Sequence, residues 1–125
     1  MIEIANLTKR KIDEKFLIGV AKKVLKGENR SRDKVKDISI VFVGEKRMRD
    51  LNKKYRHQDK VTDVLSFGDG LNEIVICPAI IKGPACRQAG KKELTKILIH
   101  GILHILGYEH SEKMRDKEQK WQNHT

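Results

Sequence analysis

Residues 100–110 read HGILHILGYEH, which sets His100, His104 and His110 in the spacing H-x3-H-x5-H, with Gly107 between the second and third. Residues four apart lie one above the other on a helical face, so His100 and His104 aim two imidazoles at one point. Gly107 falls where a helix ends. Lacking a side chain, it is free to enter the left-handed turn that reverses the chain and returns His110 toward the first two. The pattern predicts a three-histidine metal site at the end of a helix. Three protein ligands leave a zinc ion one position for water or substrate, as in catalytic rather than closed structural sites.

The rest of that helix is apolar nearly all round, with Leu94, Ile97, Leu98, Ile99, Ile102, Leu103, Ile105 and Leu106, so it is expected to be buried. Imidazoles inside such a helix need partners for both nitrogens. A metal satisfies the inner ones; the competing reading is of ordinary histidines at a helix end. The segment also matches the extended zinc-peptidase signature H-E-x-x-H-x-x-G-x-x-H at every fixed position but one. Gly101 stands where a glutamate serves as general base. The metal site survives that change, while a peptidase would need its base from elsewhere.

Working outward, Met1–Leu7 alternates Ile2 and Ile4 as a short strand. From Ile12 to Lys26 apolar residues recur every three or four positions, an amphipathic helix closed by Gly27. Ile38–Val43 reads as a central strand with Ile38, Ile40 and Phe42 on one face, followed by a helix over Glu45–Tyr55 that buries Met48, Leu51 and Tyr55. Val64–Phe67 and Glu73–Cys77 form a hairpin across Gly68-Asp69-Gly70, and Pro78 ends its second strand. Ser111 caps a last helix, weakly amphipathic and prone to fray, running to about Trp121. The expected fold is α+β, a single small domain over residues 1–125, with a mixed β-sheet of about four strands packed with helices and the zinc-binding helix central.

The 125 residues suit one domain with a core of its own. The chain shows neither a run long and apolar enough to span a bilayer nor a signal-peptide core, so a soluble, cytoplasmic protein with no membrane partner is expected. Cys77 and Cys86 are read as free thiols, Cys77 as a small buried hydrophobe. The formal charge is +10, and it is uneven: residues 1–60 carry 18 Lys and Arg against 9 Asp and Glu, residues 61–125 only 9 against 8. A cationic half favours a polyanionic partner bound through its phosphates, although a basic surface also serves solubility alone. With aromatics at 5%, base stacking is expected to be slight.

Together with HGILHILGYEH, the segment LNKKYRHQDKVTDVLSF over residues 51–67 resembles the YbeY family of bacterial rRNA maturation factors. The resemblance implies a small α+β fold and one divalent ion, zinc or similar, without an organic cofactor. It further implies single-strand-specific endoribonuclease activity at the 3′ end of small-subunit (16S) rRNA, with a linked role in ribosome quality control. Ribosomal RNA or the small ribosomal subunit is the implied partner. By that resemblance His100, His104 and His110 are the metal ligands, Arg56 supports RNA processing, and Thr62, Asp63, Ser66 and Phe67 belong to the strand beside the cleft. A permanently charged, forked guanidinium at Arg56 suits a scissile phosphate, the competing role being a salt bridge to Asp59 or Asp63. Asp63 is read as a strand-start residue rather than a catalytic one, and His57 as a surface residue. Glu109 is the carboxylate nearest the histidines in sequence. The chain departs from the family pattern at Asn72-Glu73, where Gly-Asp is usual, and at Val61, where proline is usual. Two other functions share the histidine spacing: a zincin-like metallopeptidase or amidase, and a non-catalytic rRNA-binding assembly factor.

Overall fold

The computed structural model describes residues 2–28, 37–68, 71–81, 87–107 and 112–123. The elements run β1 (Ile2–Asn6), α1 (Glu14–Glu28), β2 (Ile38–Phe42), α2 (Glu45–Arg56), β3 (Val64–Phe67), β4 (Glu73–Ile76), a short 3-10 turn at Pro78–Ile80, α3 (Arg87–Ile105) and α4 (Glu112–Asn123). This is a small α+β domain with a four-stranded mixed sheet in the order β1-β2-β4-β3. β1 and β4 pair parallel to β2, while β3 runs antiparallel to β4 at the edge.

The alternation anticipated in β2 is present, with Ile38, Ile40 and Phe42 at 2% exposure or less. They join Ile74 and Ile76 of β4, Leu17, Val20 and Val24 of α1, and Leu98, Ile99, Ile102 and Leu103 of α3 in the main core. Each such side chain contributes about 1.5–3 kcal/mol by leaving water, a large share of a domain's net stability. The opposite face of the sheet packs Val43, Leu65, Val75 and Cys77 with Met48 of α2. Cys77 is fully buried, as expected of a small hydrophobe, and burial pushes its thiol up from the ordinary value. Cys86 lies outside the described residues.

Several local expectations change. α1 begins at Glu14 rather than Ile12 because the Asp13 carboxylate accepts the backbone N–H of Phe16 (3.1 Å), an N-cap. Gly27 does not close α1 but lies within it; a Cβ there would sit 2.2 Å from Cη2 of Trp121, so the glycine admits the indole. Tyr55 is 48% exposed rather than buried, resting edge-on against Phe67, and the buried residue of that turn is Asn52. The Asn52 amide donates to the Lys60 carbonyl (3.0 Å) and so holds the segment entering β3, where Val61 packs into the second core. Asn72 takes φ 47°, a left-handed conformation that asparagine tolerates better than most residues.

α4 does not behave as a fraying tail. Trp121 is 6% exposed, and its indole N–H donates to Glu28 (2.7 Å), which also lies 3.4 Å from the Lys117 ammonium. Ser111, its anticipated cap, is outside the described residues.

Candidate active site

α3 carries His100 and His104 where the helix passes the edge strand β3. Gly107 follows at φ +96°, its N–H bonded to the His104 carbonyl (3.0 Å), the left-handed helix stop read from the sequence. His110 and Glu109 lie beyond, outside the described residues. The two Nε2 atoms are 3.0 Å apart, with the rings inclined at 77°.

On the far edge of the His100 ring, Nδ1 lies 2.6 Å from a carboxylate oxygen of Glu118, on α4. An ionised carboxylate only accepts hydrogen bonds, so Nδ1–H of His100 donates to Glu118, and Nε2 is the ring nitrogen on the side of His104. Two nitrogens bound tetrahedrally to one zinc at about 2.0–2.1 Å stand about 3.3 Å apart, within a few tenths of an ångström of the observed pair. The donor set fits a divalent cation. Among the described residues no group of three or more His, Cys, Asp or Glu converges as ligands; the third ligand expected from the sequence is His110.

The histidines line a cleft of about 430 Å³ together with Arg56, Thr62, Asp63, Ser66 and Gly68. Arg56 ends α2, and its Nη2 donates to the Ser66 carbonyl (2.8 Å), with the guanidinium 5.4 Å from the Phe67 ring centre. As an edge strand β3 leaves outward carbonyls without a strand partner, and Arg56 takes one of them. Asp59 pairs instead with Arg49 (2.7 Å), whose guanidinium holds that carboxyl below its usual range, chiefly through the hydrogen bond. Asp63 is a strand-start residue, its carbonyl accepting the Cys77 N–H (2.9 Å), and it also lines the cleft. His57 is exposed and ends α2 in a left-handed conformation (φ 58°).

Gly101, where the peptidase signature has glutamate, packs against the sheet. A Cβ at this position would meet Ile74 Cγ2 at 3.1 Å and Ser66 Oγ at 3.2 Å. Position 101 therefore presses on the sheet, and a side chain there requires Ile74 and Ser66 to give by a few tenths of an ångström. Sequence reasoning missed Glu118, because residues 100 and 118 meet only when α4 packs on α3.

Fold and cleft together define a class: a small α+β domain that brings paired imidazoles suited to a divalent cation, and one arginine, to a common cleft. Within that class, the endoribonuclease YbeY family model matches residues 3–124. The endoribonuclease YbeY of Thermodesulfovibrio yellowstonii is 45% identical over 101 residues, covering 66% of this chain and 63% of that protein. That of Thermotoga maritima is 36% identical over 96 residues, covering 67% and 64%. A solution structure of a Thermotoga maritima protein superposes with a TM-score of 0.63 at 30% identity, covering 98% of this chain and 87% of the other. The chain belongs to the endoribonuclease YbeY family, and its matches to the first two relatives span a little under two thirds of their lengths.

Proposed function

We propose that the chain is a metal-dependent endoribonuclease that cleaves single-stranded RNA. Its proposed setting is the cytoplasm, on the 3′ end of small-subunit (16S) rRNA bound in or near the small ribosomal subunit, during late maturation and quality control. The observation that carries this reading is the meeting of His100 and His104 from α3 with Arg56 from α2 in one cleft. The relatives' name supports the reaction class. Among the described residues no helix is long and apolar enough to cross a membrane.

A divalent ion, zinc first among the candidates, held by His100, His104 and His110 would supply Lewis-acid polarisation of a phosphoryl oxygen and activation of water near neutral pH. The chain's own residues supply the rest. The exposed face of α2 bears Lys46, Arg47, Arg49, Lys53, Lys54 and Arg56 against Glu45 and Asp50, a field that draws a phosphate backbone to the cleft. Arg56 spends one N–H on Ser66, which aims the guanidinium, and a guanidinium has five donors. The others serve the charge that builds on the phosphoryl oxygens. Asp63 is the carboxylate among the described residues that line the cleft.

The test is cleavage of an end-labelled RNA spanning the 3′ end of precursor small-subunit rRNA by metal-loaded protein. Cutting is expected to disappear in a folded His104→Ala and to fall roughly 10²–10³-fold in Arg56→Ala. Equal cutting by wild type and His104→Ala would expose a contaminant, and no cutting by wild type would refute the nuclease in favour of an rRNA-binding assembly factor.

A further inference from the structure

Glu118 and Trp121 are three residues apart and so share a face of α4. Trp121 is the anchor: its ring fills the notch left by Gly27, and its N–H reaches Glu28 on α1. Lys117, on the adjoining position, lies 3.4 Å from the same Glu28 carboxylate. One turn before the anchor, the Glu118 carboxylate is placed 2.6 Å from His100 Nδ1, with only 22% of its side chain exposed. A carboxylate held at this distance keeps the proton on Nδ1, restricts rotation of the ring about its χ2 torsion, and makes Nε2 a stronger donor. It approaches the edge of the ring opposite the nitrogen that faces His104, so its role is orientation rather than contact with substrate.

We propose that Glu118 is the positioning residue of the metal centre and that α4, tied to α1 through Trp121, is thereby a working part of the site rather than an appendage. The inference rests on the proposal that His100 and His104 hold a divalent cation. An ordinary stabilising ion pair at this place would leave metal affinity untouched, which separates the two roles.

The experiment titrates Co2+ and Zn2+ into full-length wild type, Glu118→Gln, Glu118→Leu and His104→Ala in competition with a chromophoric chelator. The visible d–d spectrum of the cobalt form and the melting of the metal-free proteins are recorded alongside. Glu118→Leu, which fills the same space without an acceptor, is expected to bind roughly 10- to 100-fold more weakly and to alter the cobalt spectrum. Glu118→Gln keeps an oxygen that accepts from Nδ1–H and is expected to recover most of that loss, with metal-free melting unchanged. Affinity and spectrum of Glu118→Leu indistinguishable from wild type, while His104→Ala has lost the ion, would overturn the inference and leave the metal reading standing. Failure of wild type to take up either ion would overturn both.

Discussion

Gly27→Ala sets two physical effects against each other. Gly27 lies in the last turn of α1, where helix propensity alone favours alanine by at most about 1 kcal/mol. Yet the added Cβ would sit 2.2 Å from Cη2 and 2.5 Å from Cζ2 of Trp121, closer than non-bonded carbons approach. The indole is rigid, 6% exposed and held by its 2.7 Å hydrogen bond to Glu28, so it cannot yield without leaving its site. Losing the packing of a buried aromatic costs about 3–5 kcal/mol, which leaves a net loss of about 2–4 kcal/mol after the propensity gain. For a domain of this size that corresponds to a fall of roughly 8–15 °C in Tm. The chain has one tryptophan, so urea denaturation followed by its fluorescence reads stability and the environment of Trp121 together. The emission is expected to shift to the red in the variant. In a Trp121→Ala background, with urea denaturation followed by far-UV circular dichroism instead, the same Gly27→Ala is expected to become neutral or slightly stabilising, because the steric conflict is gone and the propensity gain remains. A Gly27→Ala protein as stable as wild type, with unshifted emission, would refute the tight approach of α4 to α1.

Other expectations follow from the same contacts. Gly101→Glu, which completes the zinc-peptidase signature, drives a carboxylate against Ile74 and Ser66; it is expected to melt well below wild type and to gain no peptidase activity, and a stable, proteolytic variant would contradict the placement of position 101 against the sheet. Burial raises the Cys77 thiol above 9.0, its ordinary value, so its contribution to stability is full below 9.0 and is lost as pH rises through the higher folded value. The stability advantage of wild type over Cys77→Ala, measured by urea denaturation on either side of 9.0, is therefore expected to shrink on the alkaline side; a constant difference would count against an elevated thiol.

Most of the architecture was legible along the chain because its signals are local. The alternation of Ile38, Ile40 and Phe42, the helical spacing from Phe16 to Leu25, and the hairpin around Gly68 each follow from the geometry of neighbouring residues. The pairing of His100 with His104 and the stop at Gly107 are of the same kind, being consequences of 3.6 residues per turn and of one missing Cβ. What stayed hidden depends on contacts between elements distant in sequence. Gly27 looked like a helix terminator because a glycine near a helix end commonly is one, and only the arrival of Trp121 gives it another purpose. Gly101 reads in the sequence as a lost catalytic base, whereas its closeness to Ile74 and Ser66 makes it also a contact of the helix with the sheet. Arg56 could have paired with Asp59 on sequence proximity; the edge position of β3, decided by strand order, offers it the Ser66 carbonyl instead. The helices, the strands and the histidine pair are written locally along the chain, since backbone periodicity carries that information within a few residues. Which carboxylate holds His100 and which glycine is a packing surface emerge only on folding, because those are properties of how α3, α4, α1 and the sheet press together.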